Sequence, residues 1–177
     1  MLECRYVLFY RDVKYPRIEV GRDAIKVVLP KGGGFDVERI IEERKDWIER
    51  KVKSLRELEE IADGLILYNR DDLGGLVDGY VKEFSDVLGV KPNEVSFRRM
   101  KVRWGSCDLR RRRLIFNRDL NFLPDDLIRY VVLHEMCHLI EGNHGKRFWR
   151  LVEGLDRNYR EKEKLLAGYR IKLENKK

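Results

Sequence analysis

The stretch His134-Glu135-Met136-Cys137-His138-Leu139-Ile140-Glu141-Gly142-Asn143-His144 holds all three histidines of this 177-residue chain. On a helix, four residues turn about 400° and rise about 6 Å, so His134 and His138 share a face. That is the separation at which two imidazoles hold one zinc ion. Glu135 lies about 100° round, beside the metal rather than on it, where it can take a proton from water held there. Gly142-Asn143 is expected to end the helix in a left-handed turn, bringing His144 back as a third ligand. Three ligands leave a fourth position for water or substrate, the catalytic form of a zinc site, so one Zn2+ per chain is expected. The flanks (Leu127, Ile128, Val131, Val132, Leu133, Met136, Leu139, Ile140) are densely apolar. The helix therefore reads as buried, and its polar groups need partners. Glu141 lies near the His134 direction two turns on; it is an alternative ligand, though its distance along the axis suits it better to support one.

Hydrophobic residues make up 43% of the chain and aromatics 10%, enough to bury a core as one domain or two packed halves. Charged residues reach 39%, which hints at a heat-adapted source. No apolar run approaches the ~20 residues of a membrane span, and the N-terminus lacks the pattern of a signal peptide. Cys4, Cys107 and Cys137 are odd in number and widely spaced. They read as reduced thiols, so the expected location is the cytoplasm, without membrane association.

The net charge of +7 is local. Residues 98–118 contain nine basic side chains and one acid, Asp108, leaving the rest of the chain at −1. Arg99, Lys101 and Arg103 are expected on one face of a strand beginning at Phe97, with Arg110, Arg111, Arg112 and Arg113 forming the following turn. Such a hairpin suits a phosphate backbone, or it is the solvated turn of a charge-rich protein.

Around these motifs, residues 2–30 read as strands, with turns at Tyr15-Pro16 and at the glycines 32–34. Asp36 is expected to cap one long helix through about Ala62, with Ile40, Trp47, Ile48, Val52, Leu55 and Leu58 facing the core. A second helix is expected at 73–88, stopped by Gly89, with Leu76, Val77, Tyr80, Val81 and Phe84 inward. Strands at 97–104 and 114–117, the helix opened by Pro124-Asp125-Asp126, and two C-terminal helices complete the chain. The expected division is 1–68, strands and long helix, and 69–177.

Met100-Lys101-Val102-Arg103-Trp104-Gly105-Ser106-Cys107, Asn117, Leu120, Tyr130 to Leu139 around the two histidines, His144 and Phe148-Trp149 occur together in order. In this the chain resembles the YgjP-like metallopeptidases, zincins distantly related to the SprT/Spartan proteases. The match is strong over roughly residues 70–170. The resemblance implies an α/β (α+β) zincin-like domain with a small mixed sheet. It also implies zinc on His134, His138 and His144, Glu135 as catalytic base and a polypeptide substrate. Related sequences often carry Asp before the tyrosine of the metal helix; here it is Arg129, which removes a local carboxylate.

Trp104 and Cys107 admit two roles. Trp104 packs under the metal helix and Cys107 is a small buried residue, or Trp104, Gly105, Ser106, Cys107 and Asn117 border a substrate cleft. In the second case strand 114–117 offers an edge to an extended peptide. The function expected is zinc-dependent peptide hydrolysis. The alternative is a nucleic-acid-associated protein, a binding module or a DNA-linked protease, acting through the basic hairpin.

Overall fold

The computed structural model describes residues 6–22 and 24–176. Residues 2–5, expected in the first strand, and Cys4 lie outside them. The chain forms two compact units, Met1–Glu60 and Ile61–Lys177.

In the first unit, β1 (Tyr6–Arg11), β2 (Arg17–Val20) and β3 (Ile25–Pro30) form a sheet in the order β1-β3-β2. The central β3 runs parallel to β1 and antiparallel to β2. Ile25, Val27 and Leu29 of β3 point to one side at the two-residue period of a strand, and Ile48 closes over them. The Asp36 carboxylate accepts from Arg39 N–H at 2.9 Å and starts a helix, as its sequence position predicts. One long helix does not follow. The chain makes α1 (Val37–Glu42) and α2 (Lys45–Gly64), separated by a tight turn in which Arg44 N–H bonds back to Ile41 O. Ile40, Trp47 and Val52 line the same small core. The unit boundary falls within α2.

The second unit carries the larger core. α3 (Leu73–Leu88) has the predicted bounds because both ends are written locally. Asp72 accepts from Gly75 N–H at 2.7 Å, and Gly89 takes a left-handed φ of 66°. A second three-stranded sheet follows, β4 (Glu94–Arg98), β5 (Gly105–Asp108) and β6 (Arg113–Asn117), in the order β4-β6-β5. Its topology repeats that of the first: β6 is central, parallel to β4 and antiparallel to β5. This is the expected α/β fold with small mixed sheets.

Two expectations change here. Residues 99–104 are not a strand; β4 ends at Arg98 and the chain crosses irregularly to β5. The buried Asn117 amide donates to Met100 O and Arg103 O, and its oxygen accepts from Met100 N–H, which draws this segment out of the sheet. Val102 is exposed. β6 has partners on both sides, so the sheet edges are β4 and β5 rather than residues 114–117.

The 3-10 turn Arg118–Phe122 leads into α4 (Asp125–Cys137), then α5 (Lys146–Leu155) and α6 (Tyr159–Asn175). Arg70 clamps the start of α4, donating to Leu123 O and pairing with Asp125. Arg129 pairs with Glu83 of α3 and lies over the Phe84 ring, which ties α4 to α3. Among the described residues no helix is long and apolar enough to cross a membrane.

Candidate metal and catalytic site

α4 is apolar almost all round: Leu127, Ile128, Tyr130, Val131, Val132, Leu133, Met136 and Cys137 are buried. A helix of this pattern occupies the middle of a core, and its few polar groups are held in place. The helix ends earlier than its composition suggests. His138 is its C-cap, Leu139 and Ile140 N–H groups make tighter three-residue bonds, and neither Gly142 nor Asn143 adopts a left-handed φ. The chain nevertheless returns. His144, at the entry to α5, brings its Nε2 to 2.9 Å from His134 Nε2 and 3.0 Å from His138 Nε2.

Aromatic rings hold this arrangement. Phe148 stacks on His138 at 4.4 Å between centroids, and Trp149 stacks on His144 at 5.6 Å. The His-x-x-x-Phe-Trp spacing thus puts two large rings of α5 behind the imidazoles. His138 Nδ1 lies 3.0 Å from Glu141 O, and a carbonyl only accepts, so Nδ1 carries the hydrogen and Nε2 presents a lone pair. Glu141 therefore meets the site through its backbone. Burial, with the neighbouring imidazoles, pushes His134 down to about 3, and burial also lowers His138. Both are neutral near pH 7, the form that binds metal.

These residues fit a metal ion. The three ligand atoms lie within 4.8 Å of one another, and no cysteine or carboxylate joins them among the described residues. Tetrahedral zinc with bonds of about 2.0–2.1 Å spaces its nitrogens about 3.3 Å apart, a few tenths of an ångström beyond the observed separations.

Glu135 is only 6% exposed. Its side chain fills the space that a Cβ on Gly105 would need: such an atom would stand 2.6 Å from Glu135 Cγ and 2.7 Å from Oε1. Burial raises the carboxyl to about 8, against the opposing influence of the Arg103 charge. Burial, together with the Glu135 and Asp108 charges, pushes the Cys107 thiol to about 11, and burial alone takes Cys137 to about 12. Both are neutral thiols at pH 7, poor ligands and poor nucleophiles.

His134 and Glu135 give the metal-free protein opposite pH slopes. The His134 value falls on folding from 6.5 to about 3, so its contribution is full above 6.5 and declines below it, by about 1.4 kcal/mol per unit. The Glu135 value rises from 4.5 to about 8, so its contribution is full below 4.5 and is lost as pH rises through about 8. Between these limits the slopes oppose each other. Denaturant titrations of metal-free protein are expected to show declines on both sides of a window near pH 4.5–6.5. Glu135→Gln should flatten the alkaline limb and leave the acid limb. An unchanged alkaline limb in that variant would overturn the assignment.

The histidines and Glu135 line a cleft of about 670 Å³. Trp104, Gly105, Ser106 and Cys107 line it too, along β5 and its approach. Trp104 does not only pack: Arg170 of α6 lies over its ring at 4.0 Å. Asn117 is fully buried and outside the cleft; it holds the approach segment in shape. The basic residues do not form one stripe. Arg99, Lys101, Arg103, Arg110 and Arg111 are exposed, but Arg112 takes a left-handed φ of 50° and donates to Lys91 O, and Arg113 is half-buried in β6. Arg103 points elsewhere than expected, lining the cleft as its one cationic side chain among the described residues. Tyr130 and Glu163 also line it. Neither was legible as a site residue, because each meets the other only when α6 packs on α4.

Comparison with curated proteins finds no match. Among solved structures, the metallopeptidase zymogen of Pyrococcus abyssi abylysin is 23% identical with a TM-score of 0.45, the alignment covering 49% of this chain and 88% of that one. The YgjP-like family, metallopeptidase domain, matches residues 56–169, a span that takes in α3, both sides of the cleft and all three histidines. The chain belongs to this YgjP-like metallopeptidase family.

Proposed function

We propose that the chain is a zinc peptidase in which His134, His138 and His144 hold one zinc ion and Glu135 is the general base. The observation that carries this is the convergence of three Nε2 atoms in the same cleft as a buried carboxyl. A zinc ion bound there supplies Lewis acidity, which polarises a carbonyl and brings the pKa of a water to about 7. Glu135 receives the proton of the attacking water and passes it to the leaving amine. Arg103 directs positive charge into the cleft, where the substrate oxygen becomes anionic. Trp104, Gly105, Ser106 and Cys107 form the wall along which the polypeptide lies.

Purified protein is expected to contain about one zinc per chain, and each single His→Ala change to lower that content sharply. Elemental analysis of dialysed protein decides it. Full zinc occupancy in His144→Ala would sink the three-histidine site.

A further inference from the structure

His138 has its tautomer set by the Glu141 carbonyl, but His134 does not. The Nδ1 atom of His134 is buried and has no hydrogen-bond partner. The nearest acceptor of opposite charge is Glu163 Oε1, 3.9 Å away on α6. That is about 0.7 Å beyond hydrogen-bond reach. The same Oε1 accepts from the Tyr130 hydroxyl at 2.6 Å, and Tyr130 stands one helical turn before His134 on α4. Tyr130 is fully buried, whereas the Glu163 side chain is 46% exposed. The carboxylate is therefore held at one oxygen by a fixed hydroxyl, beside the ring.

We propose that Glu163 is a positioning residue for the metal site, accepting the Nδ1–H of His134 and so presenting the Nε2 lone pair toward the other two histidines. This rests on the three histidines being the metal ligands. A buried imidazole with an unpaired nitrogen has two neutral tautomers, and only the one protonated on Nδ1 leaves Nε2 open. A carboxylate accepting from Nδ1 selects that form and makes the ring a stronger donor. Tyr130 fixes where the carboxylate stands.

Two measurements test this. Zinc is titrated into metal-free wild type, Glu163→Ala, Glu163→Gln and Tyr130→Phe against a chromophoric chelator. The imidazole nitrogen spectrum of metal-free, ¹⁵N-histidine-labelled protein is recorded in parallel; single His→Ala variants assign its three rings. Zinc affinity is expected to fall about 10–100-fold in Glu163→Ala, and less in Glu163→Gln and Tyr130→Phe. His134 is expected to be protonated on Nδ1 in wild type and to lose that preference in Glu163→Ala. Should the alanine variant fail to fold, Glu163→Gln carries both readouts. Unchanged affinity overturns the proposal. So does a fall in affinity with the His134 tautomer unchanged, since Glu163 would then act only through its charge. If wild type takes up no zinc, the metal reading fails on its own, and the tautomer in metal-free protein still decides whether Glu163 orients His134.

Discussion

Glu135→Gln is expected to abolish hydrolysis while leaving the zinc in place. The amide keeps the size of the side chain against Gly105 but cannot accept a proton, and loss of a general base typically lowers a rate by about 10²–10⁴. In metal-free protein, burial holds Glu135 protonated at pH 7, and a carboxylic acid is no base. Burial keeps the carboxyl near 8 even with the Arg103 charge beside it, so a carboxylate at neutral pH needs further positive charge, such as a cation on the histidines. On the proposed mechanism, base and metal site are coupled: Glu135 is expected to act as a base in the loaded protein. The measurement is hydrolysis of an unfolded polypeptide by wild type and Glu135→Gln at matched zinc content. If Glu135→Gln also lost its zinc, Glu135 would be a ligand or a structural partner, and the base assignment would be wrong.

The legible parts of the fold are those specified by neighbours in sequence. Asp72 and Gly89 bound α3 because a cap and a left-handed stop act over one turn. His134, Glu135 and His138 were legible for the same reason, since their relation is set by the helix repeat. The errors arise where a distant side chain overrides a local pattern. The alternation of Met100, Val102 and Trp104 is that of a strand, yet Asn117 binds the backbone of this segment and pulls it from the sheet. Gly142-Asn143 looks like a helix stop, but the helix has already ended at His138, whose Nδ1–H bonds to Glu141 O. The arginine run reads as one stripe only if its residues share a face; Arg112 instead folds back on Lys91 O. Glu163 carries no signal in the sequence at all, because its partner Tyr130 and its neighbour His134 lie on another helix.

Gly105→Ala is expected to lower hydrolysis about 100-fold with zinc content unchanged, the scale at which a displacement of about 1 Å in a reacting group is felt. Gly105 does not have a left-handed φ, so the requirement for glycine here is spatial rather than conformational. Its missing side chain is the room that Glu135 occupies: an added methyl would stand 2.6 Å from Cγ, 2.7 Å from Oε1 and 2.9 Å from Cδ of that residue. Carbon atoms settle about 3.5–4.0 Å apart, so one of the two must move. Gly105 is in β5, paired with Phe116 of the central strand, whereas Glu135 is a side chain with rotamers to explore. The carboxylate yields first. The three atoms nearest the added methyl all belong to Glu135 and none to a histidine, which is why zinc should remain. A double-mutant cycle separates this from general damage to the fold. If Gly105 acts through Glu135, Gly105→Ala combined with Glu135→Gln is no slower than Glu135→Gln alone. Additive losses, or a Gly105→Ala protein as active as wild type, would show that the glycine serves the strand and not the base.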